Sequence, residues 1–194
     1  YTNLGLTLRR AGRPGEAIKA YERALAIDPN DTVTLRNALI AAQAVQDTER
    51  VLDYTRRLVE REPENAELEA DLAALYLRVR RFEAARDIYA RRVAEGRAGA
   101  DDYLGLGRAQ FYLENWEAAE RAWTRGLELD PAHGPIQRGL AVLYWTVGRY
   151  DAAWRQVRVC RQLGVPLDPD FIAALTEDAG RAAGETGAPQ EGMP

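Results

Sequence analysis

One cysteine, one histidine, one methionine and one lysine stand among the 194 residues, and each scarcity removes a class of chemistry. A lone Cys160 excludes an internal disulfide framework and any cysteine-based metal site. A lone His133, in a Pro131-Ala132-His133-Gly134-Pro135 turn, excludes zinc-protease helices and paired-histidine mechanisms. The single lysine, Lys19, has no neighbouring glycine loop, so no phosphate-binding Gly-Lys-Ser/Thr element exists. Gly105-Leu106-Gly107 lacks the third glycine and the preceding strand of a dinucleotide site. No apolar run approaches the ~18 residues of a membrane span. The net charge of −4 gives no basic footprint, which argues against nucleic acid as a partner. The remaining basic residues are all arginine, which suits bidentate anion recognition or reflects an arginine-favouring codon composition. The expectation is a non-enzyme without cofactor or metal.

What is there is a period. Ala17, Ala85, Ala119 and Ala153 share one register of 34 residues, with Val51 substituting once. Phe82, Trp116 and Tyr150 follow a second register, and Pro29, Pro63 and Pro131 a third. Self-similarity at this spacing means stacked supersecondary units, none able to bury its apolar face alone. In the first unit Tyr1, Leu4 and Leu8 share a helical face, Gly12-Arg13-Pro14-Gly15 breaks the helix, and Ala17, Tyr21 and Ala24 stripe the next one. That second helix stops at Asp28-Pro29, because the residue before proline disfavours helix. Cys160 shares a register with Ala24 and Gly126 and reads as a buried small packing residue.

These residues resemble the tetratricopeptide repeat. Its pattern of aromatic-x2-Leu-Gly-x2-large, then Ala-x3-aromatic-x2-Ala-x4-Pro, is met in the first unit by Tyr1, Leu4, Gly5, Leu8, Ala17, Tyr21, Ala24 and Pro29. The fourth meets it at Tyr103, Leu106, Gly107, Ala119, Trp123, Gly126 and Pro131. The third departs at Glu69, Arg92 and Arg97, and the second departs most, with Leu39, Val51, Thr55 and Leu58. The resemblance implies an all-α fold, an α-α superhelix (a right-handed solenoid) of five helix-turn-helix units: 1–31, 32–65, 66–99, 100–133 and 134–167. A capping helix at 168–179, carrying Phe171, Ile172 and Leu175, closes it, and 180–194 reads as a disordered tail. The second unit is expected to be the most loosely packed. Because the chain opens at Tyr1 inside a repeat, it reads as the C-terminal part of a longer bacterial protein, soluble, cytoplasmic or periplasmic.

In this family the first helix of each unit lines a concave groove, which here carries three features. Asn3, Asn37 and Asp71 form a ladder one repeat apart, suited to holding an extended peptide backbone or to tying neighbouring helices together. Leu6, Ile40, Ala74 and Val142 make an apolar row, broken by Arg108, that meets either a partner or the adjacent helix. Farther along, Phe111, Tyr112 and Trp145 stand as aromatic anchors beside Arg108 and Arg138, and Arg36 adds a charge in the second unit. Gly105 and Gly139 in mid-helix point to close approach of a ligand or to loose selection. A chaperone-tail clamp is argued against, because only Asn37 fits its pattern of Lys and Asn. The expected role is a scaffold or adaptor binding a peptide or partner helix. The alternatives are a recruiting array of a larger enzyme or membrane-anchored protein, and a self-associating module.

The alanine register generates a first prediction. Ala119→Leu overpacks a helix interface and lowers stability by about 1–3 kcal/mol, whereas Ala132→Leu, in a turn, changes it little. Thermal unfolding of the two variants side by side distinguishes them.

Overall fold

Backbone punctuation sets the helices. The computed structural model describes residues 1–186, among which every regular element is a helix. In chain order they are α1 (Thr2–Arg10), α2 (Pro14–Ile27), α3 (Thr32–Ala44), α4 (Thr48–Arg61), α5 (Ala66–Arg78), α6 (Phe82–Ala94), α7 (Ala100–Tyr112), α8 (Trp116–Leu129), α9 (Gly134–Thr146), α10 (Tyr150–Gln162) and α11 (Pro169–Thr186). Asp31, Asp47 and Asn65 accept from the exposed amides of Val33, Arg50 and Leu68 and so begin α3, α4 and α5. The turn inside each pair is tighter. Gly12, Gln46, Arg80, Glu114 and Gly148 recur every 34 residues, all with φ between 56° and 73°. Each lets the next amide reach back to close the preceding helix, as Asp47 N does to Ala42 O at 3.0 Å and Arg149 N to Tyr144 O at 2.7 Å.

The fold class is all-α, of the α-α superhelix type, and the chain forms two compact units, Tyr1–Ile88 and a second beginning at Tyr89. In the first, each helix from α1 to α5 packs against the next. In the second, α7 to α11 do the same, with α7 also touching α9. Ala17, Ala85, Ala119 and Ala153 are fully buried and Val51 nearly so, as their register requires. One turn along the same helices, α2 and α8 carry rings. Tyr21 lies where a Cβ on Gly5 would be, and Trp123 where one on Gly107 would be. The ring's volume is accommodated only because the opposite helix offers a hydrogen atom there. Trp123 fixes its orientation by donating Nε1–H to Leu104 O at 3.2 Å.

The second repeat keeps a buried apolar interface despite its departures from the pattern. Leu35, Ala38, Ala41, Ala42 and Leu58 are fully buried. Its sizes are exchanged: Leu39 stands where Gly5 and Gly107 stand elsewhere, and Thr55 where Tyr21 and Trp123 do. The aromatic has moved one position earlier, to Tyr54, which is 3% exposed. One residue turns the ring by about 100° around the helix, towards α2. There burial and the Glu22 carboxylate raise the phenol's pKa.

The third repeat replaces an apolar contact by charge. Leu58 and Leu68 hold the same repeat positions as Arg92 and Asp102. Arg92 Nε and Nη2 donate to the two Asp102 oxygens at 2.6 and 3.2 Å, with both side chains about nine-tenths buried. The same carboxylate accepts Gly99 N at 2.9 Å, so it also starts α7.

The capping segment is longer than the composition suggests. Leu175 of α11 is fully buried against Ala141, Ala153 and Val157, with Phe171 and Ile172 packed around it. This apolar face covers the chain's own last helix pair, as a capping helix should. The helix also runs past residue 179 to Thr186, helped by Arg181, which pairs with Glu177 one turn earlier at 2.6 Å. The expected tail from 187 onward lies outside the described residues.

Removing the carboxylate facing Arg92, as in Asp102→Ala, is expected to destabilise by about 3–5 kcal/mol. The double change Arg92→Leu/Asp102→Leu, which copies Leu58 and Leu68, should return the protein to parental stability or above it. Denaturant unfolding of the three proteins checks this.

Candidate functional site

Two of the clefts among the described residues lie between the first helices of successive repeats, one in each unit. In the second unit α7 and α9 lie side by side, and their exposed faces enclose about 290 Å³. Leu104, Phe111, Trp123 and Val142 form an apolar floor, while Tyr112, Pro135 and Gly139 shape the sides. Phe111 is held by three rings: edge-on to Tyr112 at 5.7 Å and to Trp116 at 5.2 Å, and tilted to Trp123 at 6.0 Å. A pre-ordered aromatic floor of this kind loses little entropy when something settles on it. Tyr112 stays 49% exposed beside it.

Arg108 and Arg138 close the cleft from opposite helices. Both are exposed, and neither makes an ion pair or hydrogen bond among the described residues. No acidic side chain lines the cleft. The arrangement is an apolar trough flanked by two free guanidinium groups, each able to grip a carboxylate through two N–H bonds.

The structure therefore brings together four of the sequence-predicted residues, Arg108, Phe111, Tyr112 and Arg138. Trp145 is a correction. Its indole N–H donates to Asp178 Oδ2 at 2.8 Å and its ring meets Phe171 edge-on at 5.5 Å, so it anchors α11 rather than standing open beside Arg138. Gly105 and Gly139 are explained by the protein itself. A Cβ on Gly105 would fall on the Tyr89 ring, and one on Gly139 would come within 3.0 Å of Trp123. Close approach is real at both positions, but it is approach by a neighbouring aromatic.

In the first unit the ladder is not assembled. Asn3 is exposed and Leu6 half-buried. Asn37 donates its amide N–H to Val33 O of its own helix at 2.9 Å. Arg36 pairs with Glu62, whose pKa is lowered by Asn65 and Arg36 together. Only Asp71 lines a cleft, a larger one of about 690 Å³ that also contains Leu39, Val51 and Thr55. Partial burial, and the charge of Glu67, hold its carboxyl above the ordinary value. Sequence reasoning missed this cleft. The signal was present in Thr55 and Leu39, whose exchanged sizes read as loose packing.

Elsewhere, His133 is not the solvated loop residue its turn suggests: Nε2 lies 3.1 Å from Asp101 Oδ1 with the side chain only 11% exposed. Cys160 is fully buried, and burial raises its thiol pKa. Among the described residues no helix is long and apolar enough to cross a membrane.

Two tetratricopeptide repeat profiles match the sequence, one at residues 1–31 and the other at 104–157. No curated protein sequence matches the chain. Among solved structures, a crystal structure of MamA aligns with a TM-score of 0.67 at 21% identity, covering 84% of this chain and 96% of that one. MamA from Desulfovibrio magneticus RS-1, from residue 41 to its end, gives 0.62 at 21% identity over 83% and 89%. PilW, described as a widely conserved type IV pilus biogenesis factor, gives 0.63 at 16% identity over 97% and 93%. Identities this low speak to the fold alone.

Proposed function

We propose that this chain, whose sequence matches tetratricopeptide repeat profiles and whose fold is of that protein-interaction type, is a non-catalytic recognition module that takes a short segment of a partner in the cleft between α7 and α9. The observation that carries this reading is the pair of free guanidinium groups, Arg108 and Arg138, over the aromatic floor of Phe111 and Trp123. A segment complementary to them has an aliphatic or aromatic residue to fill the trough. It has Asp or Glu on either side to meet the arginines. Burial of one such anchor supplies most of the affinity, and the charges supply register and association rate.

Five of the ten sequence-predicted groove residues, Asn3, Leu6, Arg36, Asn37 and Asp71, belong to the first unit and are outside this cleft. Trp145 is outside it as well, tying α9 to α11.

A peptide array varying acidic, basic and apolar positions identifies the preferred sequence directly. Acidic peptides with one large apolar residue should be retained, and retention should fall as salt rises. For the best peptide, Arg108→Ala and Arg138→Ala each weaken binding by about fivefold or more, the range of a contact worth over ~1 kcal/mol. Arg121→Ala, on the exposed face of α8, leaves it unchanged. Selection of basic peptides, or loss of binding through Arg121 with the cleft variants silent, would replace this reading with recognition on another face.

A further inference from the structure

The cleft of the first unit arises from one departure in the repeat. The ring at the Tyr21 position recurs as Tyr89 and Trp123, and each of these two reaches across to a glycine on the following first helix, Gly105 and Gly139 respectively. In the second repeat the equivalent positions are Thr55 and Asp71. Both the ring and the glycine that receives it are missing at the same place. Leu39 fills part of the slot from α3, and Tyr54 carries the repeat's aromatic to the other side of α4. What remains is about 690 Å³ bounded by Val51 and Thr55 of α4, Leu39 and Gln43 of α3, and Asp71 and Arg78 of α5.

Its polar groups are unengaged. Gln43, Asp71 and Arg78 make no side-chain hydrogen bond or ion pair among the described residues. Asp71 and Arg78 lie two turns apart on one face of α5, so opposite charges border the same opening without meeting. Thr55 is 2% exposed, and its hydroxyl likewise has no partner among the described residues.

We propose that this cleft is a socket for a tyrosine or tryptophan side chain presented by a partner polypeptide, which supplies the ring that the second repeat lacks. The fourth repeat, where the Trp123 ring meets Gly107 of α7 and Gly139 of α9, shows which shape the slot between successive first helices takes. Asp71, in place of glycine, adds an acceptor for the phenol O–H or indole N–H at the ring's far edge. Gln43 and Arg78 are placed to meet the backbone on either side of the inserted residue. This site is independent of the cleft between α7 and α9 and has a different preference: a ring with a donating edge, rather than carboxylates.

The test is an NMR titration of the whole chain with N-acetyl-L-tyrosinamide, N-acetyl-L-leucinamide and free L-tyrosine. The capped tyrosine should shift amides within residues 39–55 and 71–78 with a Kd on the order of 1 mM. The capped leucine should bind at least several-fold more weakly. Asp71→Ala should weaken the tyrosine probe, while Arg121→Ala, on the exposed face of α8, leaves it unchanged. The variant Leu39→Ala/Thr55→Tyr/Asp71→Gly copies the third repeat's arrangement, closes the socket from within and should abolish the shifts. Equal response to both capped probes, no shift in these residues at tenfold the expected Kd, or full binding to the filled variant would each overturn the proposal. Tight binding of free tyrosine without the capped form would also overturn it, in favour of a small-molecule site. Because the wild-type comparison needs no variant, a folding failure in the triple mutant leaves the test intact.

Discussion

Two helices can pack at close range only if a ring on one meets almost nothing on the other. That constraint recurs through this molecule, and the rest of the structure follows from how each repeat meets it. Tyr21 against Gly5 and Trp123 against Gly107 are the plain solutions, with the rings nearly or wholly buried. Interiors are packed to crystal-like density, so a methyl group at either glycine has nowhere to go. The alanine register serves the same end one turn along, keeping the backbones near enough for the rings to span them.

The departures are informative because the constraint is local. Where Thr55 gives up the ring, Leu39 takes up volume from the facing helix and Tyr54 turns towards α2, yet a cleft remains. Where Arg92 and Asp102 replace an apolar pair, the contact survives as a two-bond ion pair that also starts α7. Burying such a pair costs desolvation that its mutual attraction roughly offsets, so its effect is directional: it fixes which helix faces which. Stacked units tolerate such substitutions since each affects only its neighbours.

Much of this was legible in the sequence. The alanine register and the Asp-Pro stops are short-range signals, and the helices follow them. Arg108, Phe111, Tyr112 and Arg138 were also readable, because helical spacing and the repeat place them on adjacent faces. The failures share a cause, which is a partner on another helix. Gly105 and Gly139 looked like openings for a ligand, but the rings that fill them, Tyr89 and Trp123, come from the preceding helix. Trp145 looked exposed until Asp178 and Phe171 of α11 closed over it. Periodicity identifies the face a residue occupies; it does not say what another element brings to that face.

The central claim is that the two facing positions share one volume, which can be divided in more than one way. A double-mutant cycle on Gly107→Leu and Trp123→Thr, which together copy Leu39 and Thr55, tests it through unfolding free energies. Each single change should be strongly destabilising, Gly107→Leu by steric conflict with the ring and Trp123→Thr by leaving a cavity. The account predicts that the double variant recovers part of that loss, with a favourable coupling of about 1–3 kcal/mol. Additive losses, with no recovery, would show that the two positions do not share a volume and would contradict it.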